Sequence, residues 1–562
     1  MQTSRARAPG VLLFLACAVV AHTAPPQAAT PAAVAAADRY AADTAERIID
    51  AGGNAVDAAV AVAFTLAVTY PEAGNLGGGG FATVFIGGNS YFLDYRERAP
   101  AAAQPGMYLD ASGEVAAGAT TVGAGAAAVP GTVAGLWQLH RRFGRLPWRT
   151  ELAPAIGYAH DGFRVSPQLA ARRDERAGEL RGRTNFLTYF GSLTREGIFR
   201  QPELEATLRR IAAEGPRGFY AGRTAELLLA QMARDGGHIA HADLGGYRAV
   251  WREPLAGDWA GYRVLTAPLP SSGGIALLSM LAMRTDLAPA FAGVALNSAQ
   301  YVHLLAEIEK RVFADRADYL GDPDFHRGPV AQLLDPAYLA RRAAEVDLAR
   351  PTPTGEVHPG LALHHETTHF SIVDRSGNAV SNTYTLNDWF GCGEVVSGAG
   401  FLLNDEMDDF SAKAGTPNTY GVVGGDANAI APGKRPLSTM APTILTRGGR
   451  VAVVIGTPGG SRIATSIFQV LTNWHDFHLP LEAAVAAPRI HHQLLPPDTL
   501  FEEPYAQLAP AVRTALADRG YRFVTQDFNG EIEVIVIGAA GVDAVADPRG
   551  RGGVARVLPS AH

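Results

Sequence analysis

The chain has 562 residues, 47% of them hydrophobic and 18% charged, with a formal net charge of −7. That is enough apolar material for a large core, and length alone allows about two to four domains. Lys and Arg are scattered among Asp and Glu without a basic stripe, so the charge pattern excludes a nucleic-acid partner. The 62 glycines are dispersed among apolar periodic segments, which excludes a linker-like or disordered composition.

Arg5 and Arg7 precede an apolar run over 11–21, and Ala- and Pro-rich sequence follows. This order reads as a secretory signal peptide over 1–29, its end approximate, sending the chain to the periplasm or outside the cell. The run is too short to span a bilayer, and no other segment offers roughly 20 uninterrupted apolar residues. Cys17 follows Phe14-Leu15-Ala16, a poor lipobox because much of the apolar run lies after it, so lipid anchoring is not expected. Without the signal only Cys392 remains, and the protein is expected to fold with no internal disulfide. No base lies near Cys392 in sequence, and it reads as a passive thiol.

Positions 37–51 have a helical pattern that stops at Gly52-Gly53, and Asn54 can cap a second, very apolar helix through Val68. Pro71 ends it. Gly77 to Gly80 lead into strands over 81–86 and 91–95, joined by the turn Gly87-Gly88-Asn89. From about 136 to 348 the pattern is mostly helical, with short loops such as Pro270-Ser-Ser-Gly-Gly274. Beyond Thr367 the character changes to alternating, β-branched strands, clearest over 367–373, 379–386 and 451–457. A buried sheet covered by apolar helices gives a layered α/β (α+β) architecture, and no linker divides the mature chain, which reads as one interwoven domain.

The chemistry concentrates in His365-Glu366-Thr367-Thr368-His369-Phe370-Ser371 and the strand after it. A hairpin turn centred on Ser376 makes paired positions sum to 752, setting Thr367 opposite Thr385 and Asn387 just beyond. Paired Cβ atoms lie roughly 4.5–5.5 Å apart, within reach of a hydroxyl–hydroxyl hydrogen bond. Ordinary threonine pairing on a sheet face has the same pattern. A second feature is the strand 451–457, the turn Pro458-Gly459-Gly460-Ser461 and a helical segment from Ile463 to Trp474. Two glycines at a strand-to-helix junction expose consecutive N–H groups at the positive end of a helix, an arrangement suited to an oxyanion, a phosphate or simply a tight turn. A Walker loop is excluded at Gly433-Lys434-Arg435, where the glycine spacing is wrong and Arg replaces Ser or Thr.

Several further motifs complete the pattern: Gly52-Gly-Asn-Ala-Val-Asp-Ala58, Pro130-Gly-Thr-Val-Ala-Gly135, Met407-Asp-Asp-Phe-Ser411, Gly424-Gly-Asp-Ala-Asn-Ala429, Lys434-Arg-Pro-Leu-Ser438 and Gly456-Thr-Pro-Gly-Gly-Ser-Arg462. With them the chain resembles the γ-glutamyltransferase (γ-glutamyltranspeptidase) family over essentially its whole mature length. The resemblance implies the four-layer αββα sandwich of N-terminal-nucleophile hydrolases. It also implies a proenzyme that cuts itself between Glu366 and Thr367, giving a large subunit, 30–366, and a small catalytic subunit, 367–562.

By the same resemblance, Thr367 supplies the nucleophilic Oγ and its freed α-amino group is the base. Such an amine titrates near about pH 8, so it accepts a proton at neutrality. Thr385 orients the nucleophile, and Gly459 and Gly460 form the oxyanion hole. Arg96 clamps the substrate α-carboxylate with Ser438 and Thr439, while Asn387, Glu406 and Asp409 receive the α-ammonium. Thr439 stands where a common bacterial pattern has serine, and Glu406 where some members have glutamine. The run from about Ser411 to Lys434 resembles a lid loop in which Tyr420 closes over the substrate.

The implied donor is a glutathione-like γ-glutamyl compound, and the acceptor is water, an amino acid or a peptide. No cofactor is implied. One alternative is a cephalosporin acylase taking a glutaryl side chain, against which the Asn387, Glu406 and Asp409 set argues; another is a non-catalytic secreted scaffold. No metal site is expected, because His364-His365 and His491-His492 are adjacent pairs without helical ligand spacing, and they read as solvated or hydrogen-bonded histidines.

Overall fold

The side-chain oxygen of Asn54 accepts from the N–H groups of Val56 (2.8 Å) and Asp57 (3.1 Å), and the Asp57 carboxylate accepts from the Asn54 N–H (2.8 Å). This reciprocal cap starts α2, Ala55–Thr69, all of whose residues are buried. Before it, α1 covers Arg39–Asp50 and is capped by Asp38, two residues later than the sequence pattern suggests. The structure, a computed structural model, describes residues 30–316, 319–357, 368–416, 425–527, 530–549 and 552–559. The signal segment with Cys17, the pair His364-His365, the expected cleavage pair Glu366–Thr367 and the lid residue Tyr420 lie outside the described residues.

Two sheets are built from β1 (Ala32–Ala36), β2 (Gly79–Ile86), β3 (Asn89–Asp94), β4 (Val250–Arg252), β5 (Leu255–Trp259), β6 (Tyr262–Thr266), β7 (Thr368–Val373), β8 (Ala379–Thr385), β9 (Thr443–Arg447), β10 (Arg450–Gly456), β11 (Glu533–Gly538), β12 (Gly541–Ala546) and β13 (Val554–Leu558). The first runs β13-β1-β7-β8-β2-β3-β4 and the second β12-β11-β10-β9-β6-β5, antiparallel throughout. The further helices that matter here are α3 (Thr132–Phe143), α4 (Pro167–Leu180), α5 (Gly273–Asp286), α6 (Ala299–Arg316) and α7 (Arg462–Asp476).

Strand alternation sorts the side chains into layers. Val34, Ala82, Val84, Phe370, Ile372 and Val380 face α1, α2 and α3 in one core. Ala33, Ala35, Val373 and Ala379 turn the other way and meet Ile444, Val454 and Ile535 between the sheets. Val453 and Ile455 then face α5 and α7 in a third apolar layer. The result is helix, sheet, sheet, helix: the four-layer αββα sandwich.

The hairpin β7–β8 pairs Val373 with Ala379 through to Thr368 with Tyr384, so the register sums to 752 at every described step. Two features depart from the sequence pattern. The alanine-rich β1 carries no β-branched or aromatic signal except Val34, yet its backbone is held on both sides by β13 and β7. The segment 250–266, inside a stretch that reads as helical, forms β4, β5 and β6, with Ala260 and Gly261 both at positive φ in the tight β5–β6 turn.

Candidate active site

At one end of the sandwich the inter-sheet layer becomes polar. His369 is fully buried, its Nδ1 bonded to Thr383 Oγ1 at 2.9 Å and its Nε2 to Ser371 Oγ at 3.0 Å. Ser371 Oγ donates to Glu533 O at 2.9 Å, and Ser381 Oγ donates to Ile455 O at 3.1 Å, tying β7 and β8 to β11 and β10. Burial pushes the His369 imidazole down to about 3, so it is neutral at ordinary pH.

Thr385 ends β8, and Asn387 follows in the left-handed region at φ +80°, which asparagine tolerates better than most residues. There its N–H donates to Thr385 Oγ1 at 2.8 Å. Asn387 Nδ2 donates to Asp405 O at 3.1 Å, linking this corner to the acidic turn Glu406–Asp409. The glycine run before β2 is required by the same corner: a Cβ on Gly78 would stand 1.9 Å from the Thr385 carbonyl oxygen.

Beyond β10, Gly459 and Gly460 have φ of +126° and +60°, a pair of conformations open to glycine, and α7 begins directly after them. Neither N–H has a hydrogen-bond partner among the described residues. Thr439 Oγ1 donates to Gly460 O at 3.0 Å, and the Met440 N–H donates to Ser438 Oγ at 3.2 Å, so Ser438 and Thr439 flank the glycine turn.

Arg96, just past β3, is fully buried and forms close ion pairs with Glu406 and Asp409 and a longer one with Glu97 at 3.4 Å. Its Nε also donates to Pro436 O at 3.2 Å. Burial pushes the carboxyls of Glu97, Glu406 and Asp409 upward, against the pull of the guanidinium. Three carboxyls share one cation, whose N–H groups are engaged by them and by the Pro436 and Leu437 carbonyls, so the cluster holds more carboxyl groups than cations.

The structure therefore brings together Arg96, Thr385, Asn387, Glu406, Asp409, Ser438, Thr439, Gly459 and Gly460. Sequence reasoning missed Glu97, although it adjoins Arg96 in Asp94-Tyr-Arg-Glu97. It also missed the buried Arg316 at the end of α6, whose Nε bonds Ser272 Oγ and whose other nitrogen donates to Ser438 O at 3.3 Å; no local signal marks it. The base of the expected lid is closed by Ser411, whose N–H donates to Asn428 O at 3.0 Å.

His491 and His492 are buried rather than solvated: His491 bonds Thr465 and Gln493, each at 3.1 Å, and His492 Nδ1 accepts from the Leu494 N–H at 3.1 Å. Cys392 is buried and its thiol pushed up by burial, an unreactive environment.

The chain matches the Gamma-glutamyltranspeptidase family over residues 41–557. It is 60% identical over 543 residues to a glutathione hydrolase proenzyme from Pseudomonas aeruginosa, covering 96% of this chain and 97% of that one. Among solved structures it is similar to a γ-glutamyltranspeptidase from Pseudomonas nitroreducens complexed with L-DON, at 57% identity and a TM-score of 0.57, covering 58% of this chain and 97% of that one. It also resembles a cephalosporin acylase from Bacillus halodurans, at 27% identity and a TM-score of 0.82, covering 98% of this chain and all of that one. The chain belongs to the γ-glutamyltranspeptidase family.

Proposed function

We propose that the protein is a self-processing γ-glutamyltransferase and glutathione hydrolase with Thr367 as its nucleophile. The observation that carries this reading is the β7–β8 register. Continued one step beyond the Thr368–Tyr384 pair, this register would set residue 367 opposite Thr385. His369, two residues on, packs against Gly456, which leads into the Gly459–Gly460 turn.

The donor's α-carboxylate is taken by Arg96, Ser438 and Thr439, and its α-ammonium by Asn387, Glu406 and Asp409. Thr367 Oγ attacks the γ-carbonyl carbon and passes its proton to its own α-amine. The oxyanion is held by the Gly459 and Gly460 N–H groups. The amide C–N bond then breaks, the amine leaves with that proton, and water or a second amine releases the γ-glutamyl group. Before cleavage at Glu366–Thr367 the α-amine is an amide without basicity, so maturation precedes turnover. In this reading 30–366 and 367–562 are the two subunits and Tyr420 belongs to a lid. Export through the signal segment 1–29 is part of the same reading; among the described residues no helix is long and apolar enough to cross a membrane.

The test is N-terminal sequencing of the small fragment beside a Thr367→Ala variant. A fragment starting at Thr367, absent from the variant, is expected; a different start, or normal processing in the variant, overturns the mechanism. The acylase alternative predicts faster cleavage of glutaryl-7-aminocephalosporanic acid than of γ-glutamyl-p-nitroanilide. The carboxyl cluster around Arg96 favours the opposite ranking, because a glutaryl group brings no ammonium to it.

A further inference from the structure

A cavity of about 890 Å³ opens between the α2–β2 connection, α4 and the C-terminal segments, lined by Tyr70, Glu72, Arg172, Tyr505, Asp527 and Arg549 among others. Its most unusual group is Glu72. The residue is 3% exposed, and its Oε2 has no hydrogen-bond partner among the described residues. A buried carboxylate oxygen left unpaired beside a polar cavity is costly unless a donor enters from the cavity. Arg172 faces it across the space, set over the Trp389 ring at 4.8 Å and bonded to Asp527 at 3.0 Å and Glu175 at 3.2 Å. The other charged or titratable groups felt by Glu72 are Asp38, Glu531 and Tyr70.

Both walls of this cavity are joined by short stretches of chain to residues of the proposed active site. The Phe390 N–H donates to Glu72 O at 2.8 Å, and Trp389 lies two residues past Asn387. On the opposite wall Asp527 leads to Glu533, which pairs with Gly456 on the threshold of the Gly459–Gly460 turn. We propose that the cavity holds the amine partner of the reaction, an α-amino acid or dipeptide, with its ammonium on Glu72 and its carboxylate on Arg172. This rests on the γ-glutamyl reading above. The expelled amine and the accepted amine use the same place, because acylation by an amide and deacylation by an amine are one reaction run in opposite directions.

Burial pushes Glu72 up to about 8, close to the value of a free α-amino group near 8, so a proton passes between them with little cost. Glu72 takes one proton from the ammonium, and the freed lone pair forms the new C–N bond. The ester C–O bond to Thr367 breaks, and the proton shed by the attacking nitrogen returns to Thr367 Oγ.

The experiment compares wild type, Glu72→Gln and Arg172→Gln with γ-glutamyl-p-nitroanilide as donor and glycylglycine as acceptor. The readout is the ratio of γ-glutamyl-glycylglycine to free glutamate. Removing a charge-assisted hydrogen bond to either end of the acceptor lowers that ratio about tenfold or more. A ratio within about twofold of wild type in either variant overturns the assignment. The wild type should also prefer glycylglycine over glycylglycinamide, which lacks the carboxylate, and Arg172→Gln should erase that preference; its persistence overturns the role of Arg172. Hydrolysis of the donor by wild type without acceptor reports only on the functional reading, so the two failures are distinguishable.

Discussion

Gly456 lies so close to the imidazole of His369 that a Cβ on it would stand 2.3 Å from His369 Cε1. This contact brings the end of β10, and with it the Gly459–Gly460 turn, against the start of β7. The glycine turn and β7 belong to different sheets, and the absence of a side chain at 456 is what lets the two sheets close there.

Gly456→Ala should therefore push the sheets apart at the catalytic end. His369 is held by Thr383 and Ser371 and cannot give way without breaking buried hydrogen bonds. A loss of about 1–3 kcal/mol in stability is expected, with self-cleavage slowed as the turn moves. Urea unfolding and a denaturing-gel time course measure the two effects.

Thr385→Val removes the hydroxyl while keeping the shape. Self-cleavage and turnover should both fall by about a hundredfold, since a positioned proton donor or acceptor contributes on that scale. Thr385→Ser should recover most of the activity. A serine variant as slow as the valine variant would show that packing of the methyl group, not the hydroxyl, is what matters.

On the proposed reading, the carboxyl cluster around Arg96 makes donor binding depend on pH. Burial raises Glu97, Glu406 and Asp409, and each protonation removes a negative charge that would attract the donor's ammonium. KM for γ-glutamyl-p-nitroanilide should rise as pH falls through the raised carboxyl range. Asp409→Asn should raise KM by about tenfold to a hundredfold at neutral pH and flatten this dependence.

His369 adds a stability contribution of definite sign. Its folded value of about 3 lies below the ordinary 6.5, so the unfolded chain binds the proton first. Stability is intact above pH 6.5 and is lost as pH falls from there towards 3. The urea midpoint of wild type should drop between neutral and mildly acidic pH, and His369→Gln should show a smaller drop.

Local patterns were legible in the sequence because they depend on neighbours a few positions away. The Asn54 cap fixes the start of α2, alternation and the Asp374–Asn378 turn fix the β7–β8 register, and two adjacent glycines mark the turn before α7. Family motifs pointed to the residues proposed to bind substrate. Strand β1 stayed hidden because alanine carries little strand preference, and only pairing on both sides makes Ala32–Ala36 a strand. Arg96 meets Glu406 and Asp409 across 310 and 313 residues of chain, and Glu72 and Arg172 line one cavity from distant parts of the chain. The sequence alone determined the β7–β8 hairpin and the glycine turn, whose geometry is short-range. Only the stacking of two sheets decided that they face each other, because burial of the inter-sheet layer sets that distance and no local preference encodes it.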